Sequence, residues 1–208
     1  MTTGSVADAY FEQMFAASDD PWSMRLRWYE RRKRALLLAC LPREHYRSAF
    51  EPGCANGETT LALASRCERL LSCDTAQGAV QAARQRLAGI DHVRIERGRL
   101  PRDWPAEVFD LVVLNELGYY LDAADLQQVA KAAAASLSDD GHVLACHWRE
   151  AIEGCPLDAE GVHRLLDQHL GLTRVLRHEE ADFILEIWAR DPRSVAQHEG
   201  LRADPGTV

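Results

Sequence analysis

Two strand-like runs near the C-terminus, 173–178 (TRVLRH) and 183–190 (FILEIWAR), are separated only by Glu179, Glu180, Ala181 and Asp182. A link this short can turn an antiparallel pair, whereas a parallel crossover needs about a dozen residues or more. Upstream the spacing is of the other kind. Apolar runs at 47–51, 69–74, 93–97, 109–114 and 142–148 alternate with helical patterns at 58–65, 77–88 and 123–137. A further helix at 158–170 opens on Asp158 as an N-cap. Strands spaced by helices pair in parallel, with the helices on both faces of the sheet. The expected fold is α/β, doubly wound, with a mostly parallel seven-stranded sheet and a terminal antiparallel hairpin.

The stretch 51–57 (EPGCANG) joins the first strand to the helix that follows it. Gly53 and Gly57 carry no Cβ, so a ligand can approach bare backbone there. The helix end beyond them offers unpaired N–H groups to a polar or anionic ligand. Asp74 closes the second strand, where a carboxylate can accept both hydroxyls of a ribose. Glycine turn and distal acid together point to an adenosine-type cofactor, although such glycines taken alone are as often plain structure. A dinucleotide fingerprint would need glycine or alanine at position 58. Glu58 fails that test and sets a negative charge where a pyrophosphate should sit. With the terminal hairpin, this argues against an NAD(P)-dependent oxidoreductase.

A length of 208 residues, 47% hydrophobic and 27% charged, suits one soluble domain with a sizeable core. No apolar stretch approaches the roughly 18 residues of a spanning helix, and the N-terminus has no signal-peptide pattern. A cytoplasmic location away from membranes is expected. The six cysteines (40, 54, 67, 73, 146 and 155) form no C-x-x-C pair and read as small buried hydrophobes in a reducing compartment. No metal site is expected. A net charge of −8 disfavours a nucleic-acid partner and favours a neutral or cationic substrate.

Two helices, at 5–17 and about 23–40, precede the sheet. Arg25, Arg27, Arg31, Arg32, Lys33 and Arg34 on the second read first as a solvated face, with a groove for a phosphate or polysaccharide acid as the alternative. Between the helices, Asp19-Asp20-Pro21-Trp22 forms a turn; Trp22 either covers a cofactor or packs under the first helix. Residues 1–45 thus read as a helical cap or lid, 46–190 as the cofactor-binding domain, and 191–208 as a flexible tail without apolar period.

Several segments carry a resemblance. Phe50-Glu51-Pro52-Gly53-Cys54, with Asp19-Asp20-Pro21-Trp22, 28–33 (WYERRK), 109–116 (FDLVVLNE), 118–121 (GYYL) and 147–149 (HWR), is similar to the NodS type of class I S-adenosylmethionine (SAM)-dependent methyltransferases. The likeness runs from about residue 11 to 190. It implies a SAM site in which Glu51, Gly53, Ala55 and Gly57 form the turn under the methionine part, with Ala55 in place of a middle glycine. Asp74 would hold the ribose, and S-adenosylhomocysteine (SAH) would be the product. Thr75, Gly98, Arg99 and Leu100 would surround the adenine, with Arg99 where an acid is commonly found; the backbone of 99–100 could still read the base edge. Trp22, Asn115 and Tyr120 complete the cofactor set.

The same resemblance implies methyl transfer to nitrogen or oxygen of a small molecule or amino sugar, a deacetylated chitooligosaccharide among them. An amine acceptor must be neutral when it attacks, so a nearby acid–base group helps. Glu116, at the end of the fourth strand, and His147, at the end of the fifth, are the catalytic candidates. The bland alternatives are a carboxylate capping a helix or paired with arginine, and a satisfied core histidine. A non-catalytic SAM-binding module remains the rival from another class.

Overall fold

The computed structural model describes residues 4–203. Seven strands, β1 (Ala49–Pro52), β2 (Leu70–Asp74), β3 (Val93–Arg97), β4 (Phe109–Asn115), β5 (Leu137–Trp148), β6 (Thr173–Glu179) and β7 (Phe183–Ala189), make one sheet in the order β3-β2-β1-β4-β5-β7-β6. The helices are α1 (Asp8–Ala17), α2 (Trp28–Cys40), α3 (Glu58–Ala64), α4 (Gln77–Arg86), α5 (Ala123–Ser136), α6 (Ala159–His169) and α7 (Val195–His198). Neighbouring strands from β3 through β5 pair in parallel, and β7 pairs antiparallel with both β5 and β6. The short link from β6 to β7 (180–182) decides the antiparallel pairing of those two strands, as the sequence requires.

Residues 109–114 of β4 and the whole of β7 are buried, because helices cover both faces of the sheet centre. One apolar core contains Phe50, Phe109, Val112, Leu126, Val129 and Trp188; the opposite face packs Leu37, Tyr46, Leu63, Leu111, Leu144 and Ile187. The chain winds from β1 outward to β3, then returns to place β4 on the other side of β1. β1 and β4 are in register only at Ala49–Leu111 and Phe50–Val112. Beyond those pairs they separate, and a crevice opens at the carboxyl ends of the strands, where open α/β sheets bind ligands.

Some boundaries differ from the pattern. α2 starts at Trp28, not near 23, because the Asp20 carboxylate accepts from Met24 N (2.8 Å) and Arg25 N (3.2 Å), and Ser23 adopts φ +57°. These contacts hold the entry as a turn. Asp158 caps α6 as expected, accepting from Gly161 N. Within the segment read as a tail, a Ser194–Gln197 capping box builds α7. Residues 1–3 of the expected cap and 204–208 of the expected tail lie outside the described residues.

Candidate cofactor and acceptor site

The crevice is a cavity of about 530 Å³, within the range of small-molecule sites. Its walls come from the carboxyl ends of β1, β2 and β4, the turn after β3, and the first two helices. Trp22, Glu51, Gly53, Ala55, Asp74, Thr75, Gly98, Arg99, Leu100, Asn115, Glu116 and Tyr120 all line it. Gly57 and His147 do not.

Gly53 sits at φ +75°, and a Cβ there would approach Leu117 Cδ1 to 3.3 Å. Its bareness keeps the cavity floor open. Gly57 serves a different purpose. At φ +81° it caps α3, and a Cβ would meet Leu87 Cδ1 at 2.8 Å and Ala83 Cα at 3.0 Å. Its missing side chain lets α4 pack close, so the expectation that Gly57 faces the cofactor is corrected. Ala55 fills the middle glycine position in a left-handed conformation, φ +48°, which disfavours L-residues by roughly 1–2 kcal/mol.

The acids divide by environment. Glu51 Oε2 accepts from Thr60 Oγ1 (2.6 Å) and Ser72 Oγ (2.9 Å), so this carboxylate braces α3 and β2 from the cavity wall. Burial pushes its pKa up to about 7 despite those two donors. Asp74 Oδ2 accepts from Ala55 N (3.0 Å) and Oδ1 from Ala76 N (2.9 Å). Burial raises its pKa to about 6, with the backbone donors pulling the other way. It lines the cavity at the carboxyl end of β2.

Glu116, at φ +54°, ends β4 in a strained turn of the kind found at functional sites. Its Oε1 lies 2.5 Å from Lys33 Nζ, and its Oε2 accepts from the Tyr119 hydroxyl and from Trp148 N (3.1 Å). Lys33 also meets Glu30 Oε2 at 3.2 Å and lies 4.9 Å from the Tyr29 ring centroid. Burial alone would lower the Lys33 pKa, but the charges of Glu116 and Glu30 hold it above the ordinary lysine value. Lys33 is 5% exposed, so the solvated-face reading of the basic run fails at this position. Arg25 and Arg34 turn inward as well. With Arg86, whose Nε is 2.7 Å from Glu58 Oε1, they surround Glu58, each 3.6 Å away. That cage cancels the charge once counted against a pyrophosphate, so the case against a dinucleotide site rests on the missing third glycine and the terminal hairpin.

His147 is fully buried and is no base for the cavity. Its Nε2 accepts from Gly118 N (2.9 Å), its Nδ1 faces His163 Nε2 (3.1 Å), and His163 Nδ1 faces Glu186 Oε2 (2.8 Å). A backbone N–H can only donate and a carboxylate only accept, so the ends set both tautomers: each histidine donates from Nδ1. Burial, then the neighbouring His163 and Lys33, push the His147 pKa well below the ordinary histidine value. The imidazole anchors the turn after β4. The Arg99 N–H donates to Asp103 Oδ2 (2.9 Å) and is spent, while its C=O accepts from Asp103 N (2.8 Å) and keeps a second lone pair.

Two buried polar atoms on the cavity wall, Asn115 Oδ1 and the Tyr29 hydroxyl, have no hydrogen-bond partner among the described residues. Groups like these normally find one, so the cavity is suited to a ligand carrying donors. Tyr29, Glu30 and Lys33 escaped the sequence reading because their charge pattern resembled a surface helix. Trp22 lines the cavity and also packs edge-on against Phe15 at 5.7 Å.

The strand order, the hairpin at the end of the chain and the cavity beside Gly53 and Asp74 define a class I methyltransferase fold. Comparison with protein families matches residues 7–179 to Nodulation protein S (NodS), and the chain belongs to that family. Nodulation protein S of Rhizobium tropici is 32% identical over 137 residues, 65% of this chain and 58% of that protein. The match therefore spans less than two thirds of that curated relative. A crystal structure of the N-methyltransferase NodS from Bradyrhizobium japonicum WM9 in complex with SAH is 29% identical, with a TM-score of 0.79 over 89% of this chain and 98% of that one. A Pseudomonas syringae protein provisionally called a methyltransferase is 55% identical, with a TM-score of 0.71 over 79% of this chain and 100% of that one.

Proposed function

We propose that the chain is a SAM-dependent methyltransferase acting on nitrogen (or oxygen) of a small molecule or amino sugar, with a deacetylated chitooligosaccharide as the first acceptor to test. Family membership and the fold support the chemistry. The observation that carries the cofactor is the buried, partnerless Asn115 Oδ1 on a wall shared with Asp74 and Gly53. When bound, SAM supplies an electrophilic methyl group on a sulfonium, and SAH is the product. The chain supplies alignment and exclusion of water. Asp74 accepts the ribose hydroxyls, and Gly53 with Ala55 forms the floor under the methionine part. Trp22, Thr75, Gly98, Leu100 and Tyr120 wall the remainder.

At the acceptor end, Glu30 and Glu116 stand against one cation, Lys33. The surplus negative charge draws an ammonium in, and Glu116, oriented by Lys33 and Tyr119, takes its proton. Tyr29 and Trp148, edge to face at 5.2 Å, form an aromatic wall fit for a sugar face. The six free cysteines fit a reducing compartment such as the cytoplasm. Among the described residues, no helix is long and apolar enough to cross a membrane.

The test is calorimetry with SAH, followed by turnover of SAM with glucosamine-terminated oligosaccharides, simple amines and phenols. Glu116→Gln should lower turnover about 10²–10⁴-fold while SAH affinity is kept. Binding of NAD without SAH would rule the reading out. SAM that binds but never turns over with any acceptor would favour the non-catalytic module.

A further inference from the structure

Beyond Asp74 the cavity continues to the turn after β3, and the reading above puts the base there, since the glycosidic bond points it away from the acceptor end. Adenine presents an exocyclic amine, a hydrogen-bond donor, at its far edge. Acceptors at this end are few. Asp74 takes two backbone N–H groups and, in the SAM reading, both ribose hydroxyls, and the Arg99 carbonyl already accepts from Asp103 N. The guanidinium of Arg99 can only donate. It is turned onto Asp8 Oδ1, in the first turn of α1. Asp8 Oδ2 has no partner among the described residues, and Asp8 lines the cavity next to Thr75, Gly98 and Arg99.

Asp8 is held firmly in place. Before it, Val6 N donates to Tyr120 O (2.8 Å) and Ser5 Oγ accepts from Asp122 N (2.9 Å). After it, Glu12 Oε1 accepts from Gln77 N (3.1 Å) and pairs with Arg97 (2.9 Å), and Phe15 packs on Gly78 so closely that a Cβ there would lie 2.8 Å from it. The carboxylate is therefore pre-positioned by contacts on both sides.

We infer that Asp8, oriented by Arg99, accepts the exocyclic amine of the cofactor's adenine, so that the N-terminal helix itself selects the base. This rests on the SAM reading proposed above. An acceptor at this place welcomes an amine and repels the 6-oxo group of hypoxanthine, which leaves that edge mispaired. Asparagine would present a donor as well as an acceptor and so tolerate either base.

Calorimetry of the full chain with S-adenosylhomocysteine and S-inosylhomocysteine tests the assignment, with no turnover needed. The wild type should prefer the adenosyl compound by about ten- to a hundredfold, the range of a hydrogen bond to a charged group. Asp8→Asn should reduce that ratio to about threefold or less, with the melting temperature measured on the same sample. A wild type that binds both nucleosides equally overturns the inference without any variant. An Asp8→Asn protein that binds S-adenosylhomocysteine with the wild-type ratio overturns it as well. Failure of the wild type to bind S-adenosylhomocysteine at all would instead sink the SAM reading, and this inference with it.

Discussion

Gly57→Ala separates packing from ligand contact in the turn after β1. The new Cβ would lie 2.8 Å from Leu87 Cδ1 and 3.0 Å from Ala83 Cα, at φ +81°. Leu87 can swing aside, but the α4 backbone at Ala83 cannot do so locally. Left-handed strain contributes roughly 1–2 kcal/mol, and overpacking against α4 contributes about 1–3 kcal/mol. A central value of about 3.5 kcal/mol corresponds, in a chain of this size, to a fall of roughly 7–14 °C in Tm. Well below that Tm, SAH affinity should stay within about threefold of wild type, because Gly57 does not line the cavity. Gly53→Ala should show the opposite balance: its Cβ meets only the Leu117 side chain at 3.3 Å but intrudes on the cavity floor. Thermal unfolding and calorimetry on both variants provide the comparison. A Gly57→Ala protein that melts like wild type while losing SAH more than tenfold would refute this division of roles.

Three further outcomes are expected. Since burial pushes the Asp74 pKa up to about 6, its carboxylate is lost as a ribose acceptor below that pH; SAH affinity should then fall up to about tenfold per pH unit, and a flat profile from pH 8 to 5 would count against Asp74. Lys33→Met leaves the half-buried Glu30 and Glu116 without their cation, a loss of up to about 3 kcal/mol; adding Glu116→Gln should recover part of it in denaturant unfolding, and strictly additive losses would contradict the coupling. Glu51 holds a proton in the folded state up to about pH 7, whereas its ordinary pKa is 4.5, so stability should fall as pH rises through that window. Glu51→Gln keeps an oxygen for Thr60 and Ser72, so it should flatten the slope and melt higher than wild type at pH 8; unchanged slope would show that another group is responsible.

Much of the architecture was legible in the order of residues, because pairing direction follows from link length and helix positions follow from apolar period. The 179–182 link forced the antiparallel hairpin, and Asp158 announced the start of α6. Asp74 was legible for the same local reason: it ends an apolar run, and a strand's carboxyl end is where a doubly wound sheet opens. What decided the rest was the company each side chain keeps, and spacing does not encode that. Gly53 and Gly57 look alike in sequence, yet one borders a cavity and the other a helix. His147 sits in an apolar strand exactly as a buried base would, and only the chain to His163 and Glu186 shows that its nitrogens are spent. The basic run on α2 reads as solvated because charge normally seeks water; Glu116 and Glu58, brought from distant parts of the chain, together with Glu30 one turn away on the same helix, give Lys33, Arg25 and Arg34 partners that let them turn inward. Local pattern therefore determined the strands, the helices and the place of the crevice. Which charges face into that crevice was settled only by contacts between residues far apart in the chain, since a buried ion is tolerated only where its counter-ion is also present.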